Sequence, residues 1–168
     1  DAQAQHFLGL IRLQQGRNEE AAAAFGRAKT ADPGHAEAFY YSGEAMTRLG
    51  NREAAIEDFR KAIAIRENYF EAWYGLGTAL FESENYAEAV KAFERAKRLR
   101  NDNAEVVANL GDAYRLSDDP ALASNRYNLA ESNYNLAALF LERRPDFATN
   151  TEIRQLTADI YARIAFAI

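Results

Sequence analysis

The side chains that could do covalent or metal chemistry are few. The chain of 168 residues has two histidines, His6 and His35, and no cysteine. Without cysteine there is no thiolate nucleophile, no disulfide framework and no thiolate metal ligand, and the compartment stays open. A metal site would need both histidines together with carboxylates between them. Lone histidines are more often structural or solvated, so we expect no metal site.

The carboxylates and glycines do not point to catalysis either. Asp and Glu number 25, but acid–base catalysis needs a carboxylate held in a shaped pocket with a shifted pKa, and no spacing in the sequence fixes one. The regularly spaced glycines, from Gly9 onward, do not follow a strand in the way that phosphate-binding loops require. We therefore predict that the chain is not an enzyme and holds no cofactor.

Charge and hydropathy exclude two further classes of partner. The formal charge of −5 would repel a nucleic acid rather than release its counterions. No stretch approaches 18 uninterrupted apolar residues, so we expect no membrane insertion. The 48% hydrophobic and 27% charged residues fit a globular chain, and Asp1 in place of an initiator methionine indicates a processed chain or a fragment.

The elements that must position any site follow from a period of 34 residues. Glycines and alanines recur in three columns, and aromatic residues recur in a fourth. Small residues let two helices approach closely where they cross, while an aromatic ring fills the space beside the crossing. The columns are Gly9, Gly43, Gly77 and Gly111; Ala21, Ala55, Ala89 and Ala123; Ala28, Ala62, Ala96 and Ala130; and Phe25, Phe59, Phe93 and Tyr127.

This pattern resembles the tetratricopeptide repeat, which the third copy shows best with Trp73, Leu76, Gly77, Leu80, Ala89, Phe93 and Ala96. The resemblance implies an all-α fold, a right-handed α–α superhelix (solenoid) of four helical hairpins, each with a helix A and a helix B. We predict one domain over residues 1–168. The repeats span 2–35, 36–69, 70–103 and 104–137, with an atypical second helix in the fourth repeat, and residues 138–168 form an extension.

The regular 34-residue pattern is interrupted in the fourth repeat. Apolar residues at spacings of four and three predict one long helix of about 23 residues, capped by Asp119 with Pro120 at its first position. A second apolar row lies about 100° around the same helix. An alternative is a fifth helix A starting at Tyr134 after a turn near residue 131. The first stripe is Ala123, Tyr127, Ala130, Tyr134, Ala137 and Leu141, and the second is Leu122, Leu129, Leu136 and Phe140.

A final amphipathic helix is predicted after the break at Arg144-Pro145-Asp146. Thr149 and Glu152 form a capping-box pattern ahead of it. We interpret this helix as a cap that folds back over the end of the solenoid. Alternatively the second apolar row, or the Ile164, Phe166 and Ile168 end, contacts another subunit and makes the chain a homo-oligomer.

The resemblance also locates a binding surface, because A helices line the concave face of such solenoids. On A helices two to four this face carries six carboxylates and two arginines, a net −4 of the chain's −5. We therefore expect a protein or peptide partner, basic or aromatic and neutral, with the tyrosines as anchors. The predicted partner-binding residues are Glu37, Tyr40, Tyr41, Glu44, Arg48, Glu71, Tyr74, Thr78, Phe81, Asn109 and Asp112.

Two other binding modes are disfavoured. In members of the family that grip a C-terminal carboxylate, helix A supplies lysine, asparagine and arginine at fixed places. Here those places hold His6, Leu10, Tyr41, Glu71 and Gly75, or, one repeat on, Tyr40, Glu44, Gly75, Glu105 and Asn109. A carboxylate clamp is therefore not expected. An RNA-reading helical repeat is disfavoured by the acidity.

Overall fold

A computed structural model describes residues 1–167, without the side chains of 166 and 167. These residues form two compact units, unit 1 over Asp1–Ser83 and unit 2 from Glu84 onward. All regular elements in the described range are α-helices, in line with the predicted fold class. Their bounds are α1 Ala2–Gln14, α2 Asn18–Ala31, α3 Ala36–Arg48, α4 Arg52–Ile65, α5 Phe70–Glu82, α6 Tyr86–Leu99, α7 Ala104–Leu116, α8 Arg126–Glu142 and α9 Thr151–Ala167.

The turns after α1 and α3 have a backbone reason. Gly16 and Gly50 take φ values of 74° and 75°, a left-handed conformation that ends the preceding helix at low cost for glycine. Glu84 occupies the same place after α5 with φ 60°. Asn51 and Asn85 then cap the following helices by accepting backbone hydrogen bonds, from the Ala54 and Glu88 amides respectively.

Unit 1 is built from the predicted hairpins α1–α2 and α3–α4, with α5 packed against α4. A Cβ added at Gly9 would lie 2.5 Å from the Phe25 ring, and one at Gly43 would lie 2.7 Å from the Phe59 ring. Both rings are fully buried. In unit 1 the predicted glycine and aromatic columns are therefore confirmed: each glycine lies against the aromatic ring of the same repeat, where the two helices cross.

A buried ion pair also joins three helices of unit 1. The Lys29 ammonium on α2 donates to both carboxylate oxygens of Asp58 on α4, at 2.6 and 2.7 Å, and to the Ser42 hydroxyl on α3 at 2.9 Å. Asp58 and Ser42 are buried. The buried Asp58 carboxylate is therefore neutralised by Lys29, and the buried Ser42 hydroxyl accepts a hydrogen bond from it. Buried polar groups need such partners because they are shielded from water.

In unit 2 the long helix predicted from near Pro120 is wrong, because α8 begins only at Arg126. The Asp119 side chain does accept a hydrogen bond, from the Ala121 amide at 2.9 Å, but it caps a series of turns. In these turns the amides of Ala123 and Asn125 bond carbonyls three residues back. The Arg126 guanidinium donates to the Ser117 carbonyl at 2.8 Å and closes this loop over residues 117–125.

The predicted columns of the fourth repeat are also wrong, by seven residues. Tyr127, assigned to the aromatic column, is 48% exposed, whereas Tyr134 is fully buried. A Cβ added at Gly111 would lie 2.6 Å from the Tyr134 ring. Glycine and ring are thus 23 residues apart here, against 16 for Gly9 and Phe25. Ala130, Tyr134 and Ala137 form the true columns.

A polar contact supports the same shift. The Lys97 ammonium donates to the Asn133 side-chain oxygen at 2.8 Å. Lys97 corresponds to Lys29 two repeats earlier, and Asn133 corresponds to Asp58 once seven residues are added. The alternative of a turn near residue 131 is wrong too, because α8 runs through that position unbroken.

Helix α9 packs against α8. That it caps the end of the solenoid stays a prediction. Its cap is Asn150 instead of Thr149, because the Asn150 side chain accepts hydrogen bonds from the Glu152 and Ile153 amides at 3.1 and 3.2 Å. Ile153 and Ile160 are buried, and the second row on α8 is half-buried. Homo-oligomerisation stays a prediction, and its proposed terminal contact lies largely outside the description, since neither Ile168 nor the side chain of Phe166 is described.

Candidate functional site

A pocket of about 260 Å³ lies in unit 1 between α3 and α5, with Phe59 of α4 among its walls. We call it the Glu44 pocket. It brings together five of the predicted binding residues. Its lining is Tyr40, Glu44, Thr47, Phe59, Phe70, Glu71, Tyr74, Gly75 and Thr78.

The missing side chain of Gly75 lets the Phe59 ring lie directly against α5 at the pocket wall. A Cβ at Gly75 would lie 2.8 Å from the Phe59 ring, so any larger residue would press on that wall. In the preceding repeat the same position is Tyr41, whose ring stacks on Phe25 at 5.9 Å. In one repeat a tyrosine of helix A therefore stacks on the buried ring, and in the next the ring lies against the helix A backbone.

Aromatic rings form a rigid wall. The Tyr40 ring centroid lies 4.9 Å from that of Tyr41, 5.2 Å from Tyr69 and 5.9 Å from Phe59. Phe70 and Tyr74 lie nearly parallel at 6.3 Å. Burial raises the pKa of the Tyr40 hydroxyl, so it remains a neutral phenol at physiological pH.

Glu44 is the charged group inside this wall. Burial raises the pKa of its carboxyl, and the positive charge of Arg48 opposes that rise. Among the described residues, no side chain donates a hydrogen bond to the Glu44 carboxylate, and the Arg48 guanidinium instead donates to the Leu13 carbonyl at 3.1 Å. A half-buried carboxylate that has lost hydration and gained few hydrogen bonds lowers the stability of the free protein.

Three predicted residues on α3 have other contacts. Tyr41 stacks on Phe25 and lies 5.6 Å from His6, and so it packs between repeats. Glu37 forms an ion pair with Arg66. Arg48 bonds a backbone carbonyl of α1. None of the three lines the Glu44 pocket, and neither does Phe81 on α5.

The two predicted residues of unit 2 lie on α7. The Asp112 carboxylate accepts a hydrogen bond from the Tyr134 hydroxyl at 2.8 Å and forms an ion pair with Arg163 of α9. The final helix thus reaches the carboxylate that was expected to face a ligand. Asn109 is half-buried on the same helix.

These pairs change the predicted electrostatics. Of the six carboxylates counted on the A helices, Glu37, Glu82 and Asp112 are each paired with an arginine that lies outside the helix of the carboxylate. The negative charge is therefore less concentrated than the sequence count indicated. Sequence reasoning also missed Phe59 and Phe70 as pocket walls, although Gly75 in place of the preceding Tyr41 was a signal that the Phe59 ring would lie close to α5.

The described residues contain neither a metal-binding cluster nor a membrane-spanning helix. In this part of the chain no group of three or more histidine, aspartate or glutamate side chains is arranged to hold a metal ion. None of the described helices has both the length and the apolar character needed to cross a membrane.

Comparison with family models gives one match, to the tetratricopeptide repeat model, over residues 6–69, 48–104 and 74–124. The matches end inside the loop before α8, where the period of 34 is lost. A comparison with curated proteins gives no significant match.

Solved structures with the same fold include one domain with a bound peptide. This is the first tetratricopeptide domain of Spaghetti (RPAP3) bound to the HSP90 peptide SRMEEVD, at 27% identity and a TM-score of 0.67, covering 73% of this chain and 93% of that one. A structure of MamA covers 99% of this chain and 89% of its own at 20% identity, with a TM-score of 0.75. A second MamA structure has 22% identity and a TM-score of 0.66, covering 94% and 96% of the two chains.

Proposed function

The chain belongs to the tetratricopeptide repeat family, and on that basis we propose that unit 1 binds a segment of a partner protein by enclosing a lysine or arginine side chain in the Glu44 pocket. The observation that carries the proposal is the Glu44 carboxylate, which is half-buried among aromatic rings and accepts no side-chain hydrogen bond from the described residues. A cationic side chain would supply the missing partner.

The energetics favour a cation over an uncharged group. Glu44 has already lost part of its hydration in the free protein, so an incoming cation meets a carboxylate whose desolvation is partly complete. A charge-assisted hydrogen bond in such a place is roughly twice as strong as one between neutral groups. Natural binding sites commonly retain groups of this kind at the expense of stability.

The aromatic rings of the Glu44 pocket also favour a cation. A lysine or arginine held within about 6 Å of an aromatic face gains about 0.5–2 kcal/mol, depending on its desolvation. Tyr40, Phe70 and Tyr74 offer such faces beside Glu44. Their apolar edges would also cover the methylene stem of the bound side chain.

The proposal implies a peptide chemistry different from that in the RPAP3 complex. The peptide bound there, SRMEEVD, is acidic. Glu44 and Glu71 in the pocket would repel a carboxylate, and the clamp positions hold Tyr40, Glu44 and Gly75 instead of lysine and asparagine. We expect acidic peptides to bind unit 1 weakly.

The direct test is calorimetric titration with two blocked peptides that differ by one group. The first carries a central lysine between two phenylalanines, and the second carries acetyl-lysine at that position. We expect the lysine peptide to bind about tenfold more tightly, a difference of about 1.4 kcal/mol. Glu44→Gln should remove this preference, whereas Glu53→Gln, a control at an exposed position on α4, should keep it.

The pH dependence gives a second readout. Because the pKa of Glu44 is raised, protonation begins at a higher pH than for an ordinary glutamate, and affinity for the lysine peptide should fall as the pH is lowered through that pKa. The acetyl-lysine peptide should not show this fall. Equal affinities of the two peptides at pH 7 would contradict the proposal.

A further inference from the structure

One aromatic wall of the Glu44 pocket comes from a residue that the repeat pattern does not require. Phe70 is the first residue of α5 and lines the pocket. The other three repeats have alanine at this position, namely Ala2, Ala36 and Ala104. Ala36 is buried just as Phe70 is, so a methyl group is enough for the packing of helix A at this place. The Phe70 ring therefore adds an aromatic surface beyond what the fold needs.

Four aromatic rings and the Glu44 carboxylate share the lining of this pocket. Tyr40 and Tyr74 stand at the same position of consecutive repeats, and Phe70 lies nearly parallel to Tyr74 at 6.3 Å. Phe59 forms the fully buried wall. Aromatic rings arranged around a cation are the means by which proteins hold methylated ammonium groups.

The hydrogen-bond acceptors of the pocket are fewer than an unmodified lysine requires. An ammonium group has three N–H donors, and each needs an acceptor when it leaves water. The Thr47 and Thr78 hydroxyls donate to carbonyls of their own helices, at 2.9 and 3.1 Å, and Glu71 already interacts with another residue of the chain. The Glu44 carboxylate is the charged acceptor that receives no side-chain hydrogen bond from the described residues.

We propose that the Glu44 pocket holds a dimethylated lysine of the partner segment in preference to the unmodified residue. The remaining N–H donates to Glu44, and the two methyl groups lie against the rings of Tyr40, Phe70 and Tyr74. Methylation keeps the positive charge and removes two donors that the pocket does not satisfy. This inference rests on the proposed function, because it concerns the same bound cation, and it adds the methylation state of that cation.

A trimethylated lysine fits the pocket less well than a dimethylated one. It has no N–H, so it attracts the Glu44 carboxylate by charge alone and leaves that carboxylate without a hydrogen bond. The volume of about 260 Å³ lies just below the range of about 300–1,000 Å³ that is usual for small-molecule sites, and so suits a single side chain. We therefore expect the dimethylated form to bind more tightly than either neighbour in the methylation series.

The test is calorimetric titration of the full chain with one blocked peptide in four forms. Its central lysine, between two phenylalanines, is unmodified, dimethylated, trimethylated or acetylated. The dimethylated peptide should bind at least about fivefold more tightly than the unmodified one, a difference of about 1 kcal/mol. It should also bind at least about threefold more tightly than the trimethylated peptide, and the acetylated peptide should bind most weakly.

Variants of α5 locate the effect. Phe70→Ala introduces the residue of the other repeats and should bring the dimethylated peptide down to the affinity of the unmodified one. The preference for lysine over acetyl-lysine should survive, because it depends on Glu44. Phe81→Ala, on the same helix and outside the pocket lining, is the matched control and should keep both preferences. Circular dichroism shows whether each variant is folded, and Phe70→Leu repeats the test with an apolar side chain that has no aromatic face.

The four peptides separate this inference from the proposed function. If lysine binds more tightly than acetyl-lysine while dimethylation brings no gain, this inference is overturned and the proposed function stands. A dimethyl-lysine advantage that persists in folded Phe70→Ala or Phe70→Leu would also overturn it. Equal binding of lysine and acetyl-lysine would contradict the proposed function and this inference together.

Discussion

The seven-residue shift in unit 2 makes a sharp prediction about two tyrosines of α8. Tyr134 is fully buried over Gly111, while Tyr127 is 48% exposed. If the period of 34 held, Tyr127 would be the core residue and Tyr134 would not. Replacing each tyrosine by alanine therefore distinguishes the two registers by their effects on the free energy of unfolding.

The expected losses in the free energy of unfolding differ widely among the tyrosine variants. Truncating a buried aromatic ring to alanine costs about 3–5 kcal/mol, and we expect Tyr134→Ala to lie in this range. Tyr134→Phe isolates the hydroxyl, which donates to Asp112 at 2.8 Å, and should cost about 0.5–1.5 kcal/mol. Tyr127→Ala removes an exposed ring that lies against Arg126, and should cost less than about 1 kcal/mol.

The assay is urea unfolding followed by circular dichroism, with the slope of free energy against urea checked for constancy among the variants. Hydrogen exchange of the α7 and α8 amides shows that the loss of stability is in unit 2. A cost for Tyr127→Ala equal to or above that for Tyr134→Ala would refute the shifted register. So would a Tyr134→Ala variant as stable as the wild type.

Four further predictions concern unit 1. Lys29→Met leaves the Asp58 carboxylate buried and unpaired and should cost about 3–5 kcal/mol in urea unfolding, and a second change, Asp58→Leu, should recover most of it. Gly43→Ala should cost about 1–3 kcal/mol through overpacking. Gly26→Ala, in open space on α2, should raise stability by about 0.8–1.0 kcal/mol. Burial lowers the pKa of His6, so stability should fall as the pH drops below the unfolded value near 6.5 towards the folded pKa, and His6→Leu should abolish this part of the pH dependence of the melting temperature.

The sequence predicted the hairpins because their columns encode size at helix crossings, which only a few side chains can satisfy. It misplaced the fourth repeat for an equally physical reason. Seven residues are close to two helical turns, so Ala123, Tyr127 and Ala130 lie on nearly the same stripe as Ala130, Tyr134 and Ala137. Periodicity assigns the face of a helix without deciding which turn of it meets Gly111.

The candidate site could likewise be predicted only in part. Helical geometry indicated which side chains share the A-helix face, and five of them line the Glu44 pocket. It could not indicate which charges on that face are neutralised, because the partners lie far along the chain. Arg66 is 29 residues from Glu37, and Arg163 is 51 residues from Asp112.

The Glu44 pocket lies where one repeat departs from another. Tyr41 stacks on Phe25, whereas at the next position Gly75 lies directly against the Phe59 ring, which lines the Glu44 pocket. A repeat that is complete at a position satisfies its own side chains there, so affinity for a partner requires an unfilled position. Comparing the repeats of this chain with each other therefore locates its binding sites more directly than the average pattern of the family.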